Sequence, residues 1–290
     1  MPELGLRPLS LGEILDRTFS LYRRNFLLFL GITGLPHLLI LALTLGQVLF
    51  MKTPAMIAKP PIGAQFQARG GSGLMAFGIV GIVLGIVVYL VAYLFSQGGT
   101  IYAVSELYLG RTTTIGGSLR RVWGQLANLF GVCLLNGLAV MGAMIFLIIP
   151  GIYVGCRLIT CVPAALLEDL GARESLERSF QLTKGSAGRA FVIYVLYFVL
   201  LYAAAFLFMI PFGIAIAMAA KDPGMVRLSM GILQVGNFLA GVLVSPFLLI
   251  ATSVFYYDLR VRKEAFDLQL MMNPSGNVPS GVSRVPSMLS

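Results

Sequence analysis

The chain has 290 residues, of which 58% are hydrophobic and only 11% are charged, and its net charge is +9. A soluble domain carries about 25% charged residues. This composition therefore excludes a soluble globular protein and predicts that the membrane is the solvent of the chain. The basic residues lie mainly between apolar segments, which indicates membrane topology and anionic lipid, and not nucleic acid, as the reason for the positive charge.

An amphipathic helix is predicted after a short arm of nine residues. Ser10 is suited to cap this helix, and Glu13 three residues later completes a capping box. The helix is expected to run to about Arg24. The first 25 residues are too polar for a cleavable signal peptide, so none is expected.

Six apolar segments follow in pairs and predict membrane-spanning helices. Pro36, Pro211 and Pro246 are expected to kink, end or interrupt their helices. In the second segment, Gly81 and Gly85 have the spacing that lets another helix approach closely. The segments lie at about residues 26–50, 74–95, 126–149, 152–167, 190–210 and 231–257.

The fourth segment is short for a membrane span. Residues 152–167 fall below the roughly 20 residues that a crossing helix needs. The segment could extend through Glu168 and Asp169 or thin the bilayer locally. Whether it spans fully is left open by the sequence.

One short pattern, Leu-x-Arg-x-aromatic, occurs three times, and each copy precedes a pair of apolar segments. On a helix, the Leu and the aromatic residue share one face and the Arg points away from it. Such a helix suits the membrane interface, with the Arg toward phosphate or water. The copies are Leu15, Arg17 and Phe19; Leu119, Arg121 and Trp123; and Leu176, Arg178 and Phe180.

The predicted fold class is therefore all-α: a polytopic membrane helix bundle of six transmembrane helices, built as three repeats of an amphipathic interfacial helix plus a helical hairpin. A single integral membrane domain is expected over residues 1–272, and residues 273–290 are expected to form a disordered tail. The repeat units are predicted at about residues 10–110, 111–170 and 171–268.

Charge predicts the orientation of the chain. Fifteen Lys and Arg residues fall on the side of the termini and the three short helices, and five fall on the opposite side. The positive-inside rule then places both termini in the cytoplasm.

Carboxylates end the second span of each unit, at Glu106, at Glu168 and Asp169, and at Asp258. We expect them to pair with the repeat arginines and to clamp each hairpin to its own interfacial helix. As exposed pairs they would contribute about 0–1 kcal/mol each.

Two polar residues lie inside apolar segments. His37 is either a functional group or a neutral, hydrogen-bonded residue that caps the helix beside Pro36. Arg157 is either paired or substrate-facing, or it extends outward to the interface. The three cysteines (Cys133, Cys156 and Cys161) are expected to be buried free thiols. No catalytic residue, metal site or cofactor is predicted.

Six short segments carry a likeness to a known family, at residues 12–19, 22–26, 149–153, 168–169, 174–183 and 256–260. They resemble the bacterial glycerophosphoryl diester phosphodiesterase membrane-domain family. The likeness covers roughly residues 10–268 and implies a six-helix domain of the cytoplasmic membrane. Some members carry a fused phosphodiesterase domain, but this chain has one His and no room for a barrel of about 250 residues. The resemblance therefore implies no hydrolase activity.

The leading hypothesis is a non-catalytic multi-pass protein of the inner membrane that engages lipid headgroups, or a membrane or envelope partner, through its three cytoplasmic helices. Arg17, Arg121 and Arg178 would contact phosphate, and the aromatic residues would sit in the interface. The alternative is a transporter or channel for a small or lipidic solute, with His37 and Arg157 along the path. Membrane lipids are the expected partners, and a membrane-protein partner or a homo-oligomer is left open.

Overall fold

A computed structural model describes residues 8–50, 71–218 and 223–264, and every regular element in these ranges is an α-helix. This confirms the all-α class. The predicted disordered tail lies outside the described residues. The helices are α1 (Leu11–Arg24), α2 (Phe26–Phe50), α3 (Gly71–Tyr108), α4 (Ile115–Trp123), α5 (Leu126–Phe146), α6 (Ile148–Arg157), α7 (Cys161–Leu167), α8 (Ala172–Leu182), α9 (Ala187–Met218) and α10 (Pro223–Glu264).

Six segments are long and apolar enough to cross a membrane, as the sequence predicts, and the protein is a multi-pass membrane protein. The fourth, Ile148–Leu167, consists of α6 and α7 with a break between them. A short helix precedes each pair of segments. The structural equivalence of the three units remains a prediction.

The three long proline-containing helices are continuous, so the interruption predicted at Pro246 is wrong. Within the described residues, α2 runs through Pro36, α9 through Pro211 and α10 through Pro246. A proline removes one backbone N–H, so the carbonyl four residues earlier loses its partner. In α10 that carbonyl belongs to Val242, and the Thr33 hydroxyl donates to it at 3.4 Å.

The core lies at one end of the bundle. Residues 246–261 of α10 are almost completely buried there, among α1, α7, α8 and the end of α3. Toward the other end, the described parts of the spans expose large apolar side chains. Lipid tails are the solvent that such surfaces require, because leaving them in water would forfeit about 25 cal/mol per Å².

Close helix approach in α3 occurs at Gly99, and not at the pair of glycines that the sequence suggests. A Cβ added at Gly81 or Gly85 would meet no atom within 4 Å in the described part of the chain. A Cβ at Gly99 would lie 2.8 Å from Ile32 Cγ2 and 3.2 Å from Leu119 Cδ2. Gly99 therefore lets α2 and α4 pack directly against the backbone of α3.

Replacing Gly99 by Ala is expected to lower the free energy of unfolding by about 1–3 kcal/mol, because Ile32 is fully buried and has no free space to move into. Gly85→Ala is the matched control in the same helix. It is expected to be neutral or to gain up to about 1 kcal/mol of helix propensity. Denaturant unfolding in mild detergent measures both, and equal losses in the two variants would contradict the packing role.

Candidate functional site

The buried face of each short helix lies between the motif's Leu and its Arg. In α1 the buried residues are Ile14 and Thr18, and in α8 they include Ser175 and Ser179. Each pair is four residues apart and precedes the motif's Leu and aromatic residue by one position. This stripe of small and β-branched residues at helical spacing is the signal that the sequence reasoning missed. The predicted capping box at the start of α1 is confirmed, with Ser10 and Glu13 bonded reciprocally.

Arg17 binds an aromatic stack. Its guanidinium donates to the Tyr108 hydroxyl at 2.8 Å, and its Cζ lies 5.4 Å from the centre of the same ring. Tyr108 stacks on Tyr257 with ring centres 4.7 Å apart, and the Tyr257 hydroxyl bonds Ser105 at 2.8 Å. The arginine of α1 therefore joins α1 to α3 and α10.

Arg121 binds the end of α3. It donates to Glu106 Oε1 at 2.8 Å, and its Cζ lies 5.0 Å from the centre of the Tyr102 ring. The Tyr102 hydroxyl donates to Gln125, which in turn donates to Asp169 at 2.6 Å. The Arg121 side chain is still 59% exposed, so its guanidinium remains accessible.

Arg178 lies in a closed network of charges. It donates to both oxygens of Glu168, at 2.8 and 3.1 Å, and to Glu264. Arg260 donates to Glu264 at 3.0 Å, and the Tyr256 hydroxyl donates to Glu168 at 2.6 Å. The network joins the end of α7 to α8 and to the last turns of α10.

Burial by itself lowers the pKa of the Arg178 guanidinium. The hydrogen bonds and charges of Glu168 and Glu264 act in the opposite direction and raise this pKa above its usual value. A basic group with a raised folded-state pKa stabilises the fold fully below its unfolded pKa. Arg178 therefore contributes its stabilisation across the whole physiological pH range.

Two of the carboxylates form ion pairs with the short helix that follows them in the chain. Glu106 ends the first unit but binds Arg121 of the second, and Glu168 ends the second unit but binds Arg178 of the third. The expectation that each carboxylate clamps a hairpin to its own short helix is wrong. The physical reason is proximity, because the connection from each carboxylate to the next short helix is only a few residues long.

Asp258, the carboxylate near the end of α10, joins the two ends of the described chain. Its fully buried carboxylate accepts the backbone N–H of Leu9 at 2.7 Å and pairs with Arg189 at 2.8 Å and Arg262 at 3.0 Å. Both arginines also donate to the Leu9 carbonyl. Leu9, which leads into α1, is therefore held by the start of α9 and by the end of α10.

The motif aromatics differ in exposure. Trp123 is 70% exposed and lies beside Phe95, with ring centres 5.9 Å apart, and Phe19 is 47% exposed beside Phe247. Phe180 is half-buried because the guanidinium of Arg157 lies over its ring. Two of the three aromatic residues are thus presented at the surface of the protein.

Exposed arginines accompany these two aromatic side chains. Arg23 lies four residues after Phe19, and Arg120 lies three residues before Trp123, so each cation shares a helix face with the aromatic residue. Within the ranges that the structure describes, Arg23, Arg24 and Arg120 form no hydrogen bond or ion pair. Sequence reasoning singled out the repeat arginines and missed these three, although the three- and four-residue spacing was readable.

The two intramembrane polar residues are not brought together. His37 bonds its own helix through Nδ1, 2.7 Å from the Thr33 carbonyl. Arg157, at the end of α6, donates to Thr183 at 3.1 Å and to the Phe180 carbonyl of α8. The two side chains share no contact among the described residues.

Reactive groups are few in the part of the chain that the structure describes. The three cysteines are free thiols, and Cys133 donates to Gln97 at 3.2 Å. No group of three or more His, Cys, Asp or Glu residues is placed there to hold a metal ion.

A multi-pass helical protein with short amphipathic helices is the class that these observations define. Residues 135–276 match a family model described as the membrane domain of glycerophosphoryl diester phosphodiesterase. This match confirms the resemblance, although the motifs of the first 134 residues lie outside it. No curated protein and no solved structure matches the chain. The match is to the membrane domain of that family, and not to its catalytic domain.

Arg178→Gln is expected to lower the free energy of unfolding by about 3 kcal/mol, because it leaves two poorly exposed carboxylates without their shared cation. Arg121→Gln is expected to cost less than about 1 kcal/mol, because that pair faces solvent. A double-mutant cycle of Arg178→Gln with Glu168→Gln measures the coupling. Similar losses for the two arginine variants would show that burial of the network is not what stabilises it.

Proposed function

We propose that this protein is a non-catalytic, multi-pass protein of the bacterial cytoplasmic membrane whose short helices hold anionic lipid headgroups at the cytoplasmic face. The excess of Lys and Arg on the side of the short helices supports this orientation. The match of residues 135–276 to the membrane domain of glycerophosphoryl diester phosphodiesterase supports a lipid partner. A membrane or envelope protein that docks on the same helices is the competing partner.

The observation that carries the proposal is the pairing of an exposed aromatic residue with an exposed cation on two separate helices. Phe19 and Arg23 share one face of α1, and Trp123 and Arg120 share one face of α4. An aromatic ring suits the boundary between headgroups and acyl chains, and an adjacent cation then reaches the phosphates. We call these four residues the headgroup surface.

The repeat arginines take a different part in the proposal. Arg17 and Arg178 are engaged by protein groups, so they position α1 and α8 and do not bind phosphate themselves. Arg121 is exposed enough to serve both Glu106 and a headgroup beside Arg120. This assignment narrows the original hypothesis, in which all three repeat arginines contact phosphate.

The chemistry of the surface favours an anionic headgroup with an accessible phosphate. A basic residue near a membrane of anionic lipid contributes about 1 kcal/mol of binding. The two cations of the headgroup surface therefore favour anionic over zwitterionic lipid by about 2 kcal/mol, which corresponds to roughly 30-fold. A zwitterionic headgroup offers the same phosphate together with a compensating positive charge.

Native mass spectrometry of the full chain in mild detergent, titrated with phosphatidylglycerol or phosphatidylcholine, tests the proposal. The double variant Arg23→Gln with Arg120→Gln is expected to lose the preference for phosphatidylglycerol. The matched control is Arg111→Gln with Arg173→Gln, which removes the same charge from exposed residues whose cations already face Glu106 and Glu177. The control is expected to keep the preference.

Two results would overturn the proposal. Equal loss in both double variants would show that total charge, and not the headgroup surface, attracts the lipid. An unchanged preference in the first variant would remove the headgroup surface from lipid binding and favour a protein partner.

A further inference from the structure

The turn between α5 and α6 is apolar and exposed. Residues 145–149, here called the hairpin tip, have side chains that are 66–84% exposed. No charged residue occurs between Asn136 and Arg157. A turn that emerged into water would leave this contiguous apolar patch in contact with water, at an unfavourable free energy.

The sequences that connect the other two pairs of spans are different. Residues 51–70 carry Lys52, Lys59 and Arg69, and residues 219–222 carry Lys221 and Asp222. Charged residues of this kind mark a connection that reaches water. The hairpin tip has none of them.

Arg157 marks where the polar end of the bundle begins on α6. Its side chain contacts Thr183 and the carbonyl of Phe180. Lys263, from the last turn of α10, donates to the carbonyls of Gln181 and Lys184 at 3.0 and 2.9 Å. Arg157 thus lies in the same layer as the charged end of α10.

From this layer to the hairpin tip, α6 is only half as long as a membrane crossing. It has 10 residues, or about 15 Å at about 1.5 Å per residue, whereas the hydrocarbon core is about 30 Å thick. By the same measure α9, which also starts in the charged layer, has 32 residues and is about 48 Å long. The neighbouring helix therefore crosses the full bilayer and α6 does not.

The register of the hairpin gives the same result for α5. A Cβ added at Gly151 would lie against Met144, and one at Gly155 would lie 4.0 Å from Val140. Continuing this antiparallel register places Arg157 beside Leu138. Only residues 139–146, the last eight of the 21 residues of α5, therefore extend beyond the charged layer.

The first half of α5 packs within the polar end of the bundle. Asn128 donates to the Leu170 carbonyl at 2.9 Å, and a Cβ added at Gly131 would lie 3.7 Å from Ala172. Leu129 and Val132 are fully buried there. The 21 residues of α5 are thus divided between the packed end and the protruding hairpin.

The backbone of the hairpin tip is suited to an apolar environment. Leu147 alone interrupts the helices, and its N–H donates to the Ala143 carbonyl at 3.2 Å. Its own carbonyl accepts the N–H of Gly151, and Pro150 has no N–H to satisfy. A one-residue break leaves few unpaired backbone groups, which is what hydrocarbon requires.

We propose that α5 and α6 form a re-entrant hairpin whose tip ends inside the bilayer and contacts lipid hydrocarbon. The occupant of the exposed apolar surface is then the acyl-chain region itself. Both ends of the hairpin lie on the same side of the membrane, and the four remaining spans cross it. The proposal does not depend on the headgroup surface.

Depth-dependent quenching of tryptophan fluorescence tests this placement in the full chain. Trp123 is the single tryptophan, so Trp123→Phe provides a silent background. Phe146→Trp reports the hairpin tip. In α9, Phe198→Trp lies nine residues from Arg189 and is the matched reference for half depth, and Ile214→Trp is the reference for the far boundary.

In vesicles of phospholipids brominated either near the headgroup or near the acyl-chain end, Phe146→Trp is expected to be quenched most by the deep bromines, as Phe198→Trp is. Acrylamide in water is expected to quench both at least threefold less than it quenches Ile214→Trp. Ile149→Trp, also in the hairpin tip, repeats the test if the first variant does not fold.

Two outcomes would overturn the proposal. Quenching of the tip reporter that follows Ile214→Trp, with access to acrylamide, would show that the hairpin crosses the bilayer. Protection from both bromine and acrylamide would show that protein covers the tip, with a second copy of the chain as the occupant.

Discussion

The fold depends on keeping charge satisfied at the buried end of α10. This helix carries Asp258 and Arg260 into a region where its residues have almost no contact with solvent, and Glu264 follows in the partly exposed last turn. An isolated charge there costs several kcal/mol, so each must meet an opposite charge or a hydrogen-bond donor. Arg178 of α8, Arg189 at the start of α9 and Glu168 at the end of α7 supply those partners. The last turns of α10 are therefore the part of the structure against which the surrounding helices pack.

This constraint separates two kinds of arginine. Those that meet carboxylates or tyrosines, such as Arg17 and Arg178, hold helices in place. Others, such as Arg23 and Arg120, form no ion pair within the described residues and lie on the same helix face as an exposed aromatic ring. The same residue type therefore serves assembly on the inner side of a short helix and, in the proposed function, lipid contact on its outer side. Separating the two roles requires knowing which neighbours each guanidinium reaches.

Composition, periodicity and capping signals were enough to predict the all-α class, six apolar segments and the start of α1 at Ser10, and short motifs were enough to show the resemblance that the family model confirms. These depend on local rules, namely hydropathy, capping and short motifs. The sequence could not show that Glu106 serves Arg121 of the next unit, because pairing depends on tertiary proximity. The predictions of close packing at Gly81 and of a helix break at Pro246 were wrong. Whether a glycine allows close packing, or a proline breaks a helix, depends on the residues that pack beside it.

The contact between Leu9 and Asp258 has a consequence for biogenesis. The two residues are 249 positions apart, so α1 leaves the ribosome long before its partner on α10 exists. At about 5–20 residues per second, this interval lasts roughly 12–50 s. During that time α1 can meet α2 and the end of α3, but the inward face with Ile14 and Thr18 lacks α10, the helix against which it mainly packs. Docking of α1 is therefore completed only when the final helix arrives.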